Sequence, residues 1–239
     1  MSDVYSYLWL IPALPLLAAV VTTLFGRQLG ERAHAPCVLA VVIAAILSFG
    51  VLLEVLGKVP PKTSHTYFTW FAAGTPGGIN VEVPFALRAD ALSAIMLVTV
   101  TFIGSLIAIY SIGYMHDDPG YPRFFAAVAL FIAAMTLLVS GDNLLLLFTG
   151  WEGVGLCSYL LIGFWFNKPA AADAAKKAFL VNRIGDFGFM IGILMAWVWS
   201  GYQLSYDAVF RNLTTPGAGP FEVSPLILTV ICLLLFCGA

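Results

Sequence analysis

The sequence predicts an all-α polytopic membrane protein: six complete transmembrane helices, a truncated seventh, and one short extramembrane β-hairpin. Three observations carry that reading. Apolar residues fill 61% of the 239 positions and charged residues only 10%, against about 25% charged in a water-facing globular domain. Mean hydropathy is +0.95. The apolar residues are gathered into runs of about 20, the length that crosses ~30 Å of hydrocarbon at ~1.5 Å per helical residue. The same figures exclude a disordered chain and a disulfide scaffold. A pI near 5.8 offers no basic field for phosphate, which excludes a nucleic-acid binder.

The runs follow in order. The first extends from Tyr7 to Phe25 and tolerates Pro12 and Pro15 near its start. It is not a signal peptide, because its leading segment carries Asp3 and no cation, and Pro36 follows the Ala33-His34-Ala35 that mimics a cleavage site. The second covers Cys37 to Leu56, with Glu54 near its end and in an interfacial role. The third, Ala91 to Ile112, carries no charge. The fourth, Phe124 to Ser140, is joined to the fifth, Leu144 to Phe166, by the turn signal Gly141-Asp142-Asn143, so the two form a helical hairpin. The sixth reads apolar from Ala178 to Ser200, but its helix starts earlier: Asn167 suits an N-cap, Pro169 the first turn, and Asp173 the positive end of the helix dipole. The seventh starts after Pro225 and stops at Ala239, too short to span, so the chain reads as cut within a helix.

Between the second and third runs, Thr66–Phe71 and Ile79–Val83 are β-prone and flank the turn signal Thr75-Pro76-Gly77-Gly78. This predicts a surface hairpin serving as a contact element. Two segments result: 1–88, a pair of helices with the hairpin loop, and 89–239, carrying the remaining spans. Alternate loops hold Arg27, Arg32, Arg123, Lys168, Lys176 and Lys177 on one side and Lys58, Lys62, Arg88 and Arg211 on the other. The cation excess puts the N-terminus and the hairpin outside and the loop after the fifth run in the cytoplasm.

Three charges interrupt the later spans: Glu152 in the fifth, Arg183 and Asp186 in the sixth. Each costs about 2.5–3.5 kcal/mol at the centre of an inserted helix, so such residues line polar paths or pair across helices. Glu152 and Asp186 each lie ~12 Å in from opposite ends of their runs, which leaves ~6 Å between them along the membrane normal. Arg183 and Asp186 are three residues apart and share a helix face. Moving a cation to or from a carboxylate changes its hold on a proton, which couples charge movement to protonation. The alternative is a self-neutralising Arg–Asp pair that glues helices together. Gly150, Gly153, Gly155, Gly185 and Gly188 allow close helix approach, and Thr149, Ser158 and Asn182 supply polar contacts. Lys176 and Lys177 snorkel to the headgroups. His116-Asp117-Asp118, beside Pro119-Gly120, reads as a solvated turn, and His34 and His65 as isolated loop residues. Cys37, Cys157, Cys232 and Cys237 lie in apolar runs without a C-x-x-C pair and read as buried small hydrophobes.

The segments Trp151-Glu152-Gly153-Val154-Gly155-Leu156-Cys157-Ser158-Tyr159-Leu160-Leu161-Ile162-Gly163-Phe164-Trp165 and Lys177-Ala178-Phe179-Leu180-Val181-Asn182-Arg183-Ile184-Gly185-Asp186 closely resemble one family. It is the antiporter-like subunit 5, or chain L, of proton-pumping NADH:quinone oxidoreductase, respiratory complex I. Asp90-Ala91-Leu92-Ser93 and Tyr110-Ser111-Ile112-Gly113-Tyr114-Met115 extend the match, which runs from about Pro84 to Ala239 and more loosely from the N-terminus. The resemblance implies an antiporter-like bundle of two inverted repeats, of which 89–239 would supply part of the first. It implies proton-translocation roles for Glu152, Asp186 and Arg183, with Lys176 and Lys177 as accessory cations. It also implies a lysine on the seventh helix shortly after the closing Gly-Ala, so this chain alone is expected not to pump. The sequence contains no Rossmann glycine pattern, iron–sulfur cysteine spacing or flavin motif. No cofactor is therefore expected in this chain: NADH, FMN, Fe–S clusters and quinone belong on partner subunits, alongside other membrane subunits of the complex. The Ala-rich helices favour a bacterial over a mitochondrially encoded protein, so the expected location is a bacterial inner (plasma) membrane. The large subunit of a multisubunit Na⁺/H⁺ antiporter is similar to the same family, but Asn182–Asp186 and Gly153–Leu156 favour complex I. A scaffold bundle without transport is the remaining alternative.

Overall fold

The computed structural model describes residues 6–57, 64–74, 81–215 and 217–238. Lys58, Lys62, the Thr75–Gly78 turn, Ile79, Asn80 and Asp3 lie outside the described residues. Eight α-helices and one two-stranded sheet make up the rest: α1 (Leu10–Leu29), α2 (His34–Gly57), β1 (Ser64–Ala73), β2 (Val81–Arg88), α3 (Ala91–Tyr114), α4 (Tyr121–Ser140), α5 (Leu144–Ile162), α6 (Pro169–Trp199), α7 (Tyr206–Thr214) and α8 (Pro225–Gly238). Six of the helices are long and apolar enough to cross a membrane.

Local sequence sets the ends of these elements. Asp90 caps α3 by accepting from the Ser93 N–H (2.8 Å), and the Ser93 hydroxyl completes a capping box. Asn143 caps α5, its Oδ1 accepting from Leu145 and Leu146 N–H at 3.1 and 2.8 Å. The expected cap at Asn167 is not made. Pro169 takes the first helical position of α6, so Lys168 is the capping residue, with no side-chain bond to the helix. Asp173 consequently falls beyond the first turn and pairs with Lys176 at 3.8 Å. Helix α5 stops at Ile162 rather than Phe166, with Gly163 at its C-cap. Helix α1 starts at Leu10 and leads into a 3₁₀ turn at Gly30–Arg32, and α2 starts at His34. The strands are longer than the pattern suggested and pair antiparallel, with irregularities between Thr66 and Phe68 and between Thr69 and Phe71.

Helix α4 packs against α1, α3 and α5, α1 against α2, and α2 against α3; α6 rests on α5 and α8 on α6. One core cluster joins α1, α2 and α4 around Cys37, Val41, Phe125 and Ile132, and a second joins Leu8, Ile11, Val51, Leu87 and Leu97. A third holds Leu144, Phe189, Ile193, Val209, Leu213 and Ile231. Helices α5 and α6 bury 17% and 22% of their spanning windows, against 39–44% for α1–α4. Glycine makes two of the closest seams. A Cβ on Gly150 would lie 2.7 Å from Leu138 Cα, and one on Gly185 2.6 Å from the Cys237 carbonyl. Gly155, in contrast, faces open space.

The loops sort into two ends. At one end, β2 meets the α4–α5 corner through Asp142 N–H to Ala86 O (3.0 Å), and Leu144 and Tyr206 N–H reach Leu204 O and Asp142 O. At the other end, Arg123 donates to Phe164 O at 2.8 Å and Trp165 Nε1 to Asp118 Oδ2 at 2.8 Å. His34 is not isolated there: its Nδ1 lies 2.9 Å from the Tyr121 hydroxyl. Glu54 likewise has a partner, the Tyr7 hydroxyl. Cys37 and Cys157 are buried as expected, but Cys232 and Cys237 are exposed on α8.

Candidate functional site

The three intramembrane charges converge. Glu152 sits eight residues past the start of α5, and Arg183 and Asp186 one turn apart on α6, which packs against α5. Arg183 Nη1 pairs with Glu152 Oε2, and the same nitrogen lies 3.8 Å from Asp186 Oδ2. One guanidinium is thus held between two carboxylates from two spans. The Arg183 cation also stands 4.8 Å from the centre of the Phe179 ring. Glu152 is therefore not without a partner, as the run read alone implies; its partner lies 31 residues away.

Asp186 is the most enclosed of the three, with its side chain 6% exposed against 24% for Glu152 and 43% for Arg183. Its Oδ1 accepts from Trp151 Nε1 at 2.8 Å. The Trp151 ring in turn packs on Phe189, centroids 5.5 Å apart. A buried carboxylate needs compensation from charge or hydrogen bonds, and here it receives both. Trp151 went unassigned in the sequence, although it directly precedes Glu152. Being next to Glu152, it faces a different direction on α5, and that direction is toward Asp186.

Other expected participants lie apart. Lys176 is exposed and paired with Asp173, and Lys177 has no ion pair among the described residues. The Thr149 hydroxyl bonds back to Leu145 O within its own helix. The side chains of Ser158 and Asn182 make no hydrogen bond among the described residues.

A second charged cluster, unforeseen in the sequence, lies at the hairpin end. Arg88 Nε donates to Asp142 Oδ1 at 2.7 Å and Nη2 to Asp207 Oδ1 at 2.5 Å, with Asp90 Oδ2 3.8 Å away. It joins β2, the α4–α5 corner and α7. Burial disfavours the Arg88 charge, but Asp142 and Asp207 outweigh it and raise its hold on the proton further. Burial likewise opposes charge on Asp90, yet Ser93, the Arg88 guanidinium and the Leu92 N–H hold its carboxyl below the usual range. Burial pushes the nearby Tyr206 hydroxyl up to about 12, with Asp142 adding to the effect and Arg88 opposing it.

A bundle of six apolar spans whose few intramembrane charges meet across two helices defines a class: the multi-pass membrane proteins with charged side chains paired between spans. Comparison with known proteins narrows it. Residues 70–125 match the family described as NADH-ubiquinone oxidoreductase (complex I), chain 5 N-terminus, and residues 141–239 match NADH:quinone oxidoreductase/Mrp antiporter, TM. NADH-quinone oxidoreductase subunit L of Neisseria meningitidis is 41% identical over 245 residues, covering 100% of this chain and 36% of that protein. The Mycobacterium tuberculosis subunit L is 44% identical over 239 residues, covering 98% and 35%. The F(420)H(2) dehydrogenase subunit L of Methanosarcina mazei is 42% identical over 248 residues, covering 98% and 35%. The chain belongs to the family of NADH-quinone oxidoreductase subunit L, chain 5 of complex I. It spans about a third of the length of these relatives.

Solved structures share the fold. The archaeal membrane-bound sulfane sulfur reductase superposes with a TM-score of 0.75 at 17% identity, over 96% of this chain and 43% of that one. The Mrp complex from Dietzia gives 0.71 at 21% identity, over 97% and 23%.

Proposed function

We propose that this chain forms the first part of a proton-translocating membrane-arm subunit of an NADH:quinone oxidoreductase, with Glu152, Arg183 and Asp186 handling the translocated charge. The observation that carries the reading is the single Arg183 guanidinium shared by Glu152 of α5 and Asp186 of α6. Two carboxylates and one cation cannot all be compensated within the site at once. When Arg183 moves toward one carboxylate, the other must take up a proton or another cation, because an uncompensated charge in a span is costly. Trp151 steadies Asp186 throughout by its indole N–H. Displacement of Arg183 by events elsewhere in the complex therefore becomes proton uptake or release. Lys176 and Lys177, at the mouth of α6, would act as accessory cations.

The redox steps belong to partner subunits in this reading, since the four cysteines are scattered over α2, α5 and α8 without cluster spacing. NADH, FMN, the Fe–S clusters and quinone would be held there, next to the other membrane subunits. The alternation of loops between the two ends, with the cation excess on the Arg123 and Lys168 side, supports an external N-terminus, and the Ala-rich helices favour a bacterial plasma membrane. An Mrp-type Na⁺/H⁺ antiporter subunit is the second reading, favoured by the shared family description over residues 141–239.

The test replaces Glu152 by Gln in the full-length subunit and measures proton uptake driven by NADH oxidation in sealed vesicles. Pumping is expected to fall severely while the complex still assembles. Unchanged pumping would refute the assignment and leave a scaffold role. Sodium-dependent counterflow without coupling to NADH would instead select the antiporter reading.

A further inference from the structure

The first of two connected cavities lies between α1, α4, α5 and the start of α6, away from the charged triad. It has a volume of about 840 Å³ and a mostly apolar lining that includes Ala19, Leu24, Ala126, Ala127 and Leu160, with Lys176 also on its wall. That size falls in the range of small-molecule and lipid sites, roughly 300–1,000 Å³. It shares Thr23, Arg123, Ala126, Phe164 and Phe166 with a second, more polar cavity of about 650 Å³ at the Pro119–Gly120 end of the bundle. Arg27, Arg123 and Lys168 line this second cavity.

Three features of this polar mouth point to a ligand. Among the described residues, no carboxylate lies within ion-pair distance of Arg27, Arg123 or Lys168. Aromatic faces hold two of the cations instead: Arg123 lies 4.8 and 5.0 Å from the Phe164 and Phe166 ring centres, and Lys168 lies 4.6 Å from that of Trp165. Thr22, on the wall of the same cavity, is 1% exposed, and its hydroxyl has no hydrogen-bond partner among the described residues. Asp118, the acidic residue of the wall, accepts from Trp165 and from the Gly120 N–H and faces Arg123 and Lys168 from beyond ion-pair distance, one anion against three cations.

We propose that these joined cavities hold an anionic phospholipid, its phosphate at Arg27, Arg123 and Lys168 and an acyl chain in the apolar groove. Charge complementarity selects this occupant. Asp118 can offset only one of the three cations, and a phospholipid supplies in one molecule both the tail for the groove and the further anion. The aromatic side chains around the mouth suit the level of lipid headgroups, and basic pockets between spans bind acidic headgroups at this depth. The site contains none of Glu152, Arg183 and Asp186; it meets the proton-handling reading only at Lys176, which lines the apolar cavity.

The experiment places the full chain in bilayer discs of equal phosphatidylglycerol and phosphatidylcholine with identical acyl chains and counts retained lipid by native mass spectrometry. Phosphatidylglycerol is expected to be retained selectively. Arg27→Gln combined with Lys168→Gln removes two exposed cations and is expected to weaken phosphatidylglycerol retention about 30-fold, or about 2 kcal/mol, leaving phosphatidylcholine unchanged. Leu160→Trp, which fills the groove from a partly exposed position, is expected to lower retention of both. Equal retention of the two lipids by the unaltered chain overturns the proposal, as does undiminished phosphatidylglycerol binding in either variant. A photo-reactive residue at Ala126 that captures a second polypeptide instead of lipid also overturns it.

Discussion

Replacing Arg88 by Met would test whether the cluster at the hairpin end holds the bundle together. Arg88 is 16% exposed and bonds to Asp142, 8% exposed, and to Asp207, 71% exposed. Breaking a buried pair by removing one partner costs about 3–5 kcal/mol, mostly from the stranded charge, whereas an exposed pair is worth about 0–1 kcal/mol. The partial exposure of Arg88 places the loss at the lower end, about 3 kcal/mol, nearly all of it through Asp142. Asp207→Asn should then cost less than about 1 kcal/mol. Adding Asp142→Asn to Arg88→Met should recover most of the loss, because the neutral amide no longer needs the cation. Thermal unfolding of the unaltered chain, Arg88→Met, Asp142→Asn and the double variant at fixed detergent concentration gives the double-mutant cycle, with Asp207→Asn measured beside it. Hydrogen exchange at the Tyr206 N–H, which bonds to Asp142 O, reports locally on whether α7 lifts away. Equal losses for Arg88→Met and Asp207→Asn, or no recovery in the double variant, would refute the reasoning.

Three further outcomes follow from the geometry. Trp151→Phe keeps the packing on Phe189 but removes the donor to Asp186; a loss of about 1–3 kcal/mol is expected, with pumping in the full complex reduced at unchanged subunit abundance. Gly150→Ala forces a Cβ into the Leu138 backbone, and the α4–α5 seam should lose about 1–3 kcal/mol by thermal unfolding. The Asp90 carboxyl is held below its ordinary range, near 4 when unperturbed, so its capping contribution is complete above that value and is lost as pH falls through the lowered one. Exchange protection at the Ser93 N–H should accordingly fade only in acid, and Asp90→Asn should abolish that pH dependence.

The spans were legible because the bilayer demands a length and a composition that few other environments require, and Ala91–Ile112 shows both without a single charge. The Glu152–Asp186 proximity was also legible, since helical rise fixes depth along two antiparallel runs. Depth says nothing about rotation, however, and the direct pairing of Glu152 with Arg183 depends on how α5 and α6 face each other. The misplaced cap at Asn167 has a local cause. Proline at the first helical position makes the residue before it the cap, and that residue is Lys168. Helix α7 was missed because its nine residues have no net hydrophobicity, although Tyr206, Val209, Phe210 and Leu213 recur at helical spacing after Ser205. The Arg88 cluster was out of reach, as its partners stand 54 and 119 residues away in the chain and meet only once the loops are gathered at one end.

The three core clusters also follow the order of the chain. The first two are built almost wholly from residues before Ser140, and the third from residues after Asn143. During synthesis, α1–α4 can therefore close on one another before α5 emerges from the ribosome. Helix α5 then brings Glu152 into the membrane ahead of its counterion, and must do so on the strength of its apolar flanks and the seam that Gly150 offers on α4. Arg183 arrives 31 residues later, so α5 and α6 behave as one insertion unit whose charge is balanced only when both have entered. Between those two helices the Glu152 carboxyl has no cation beside it, and protonation is then its cheaper state in lipid.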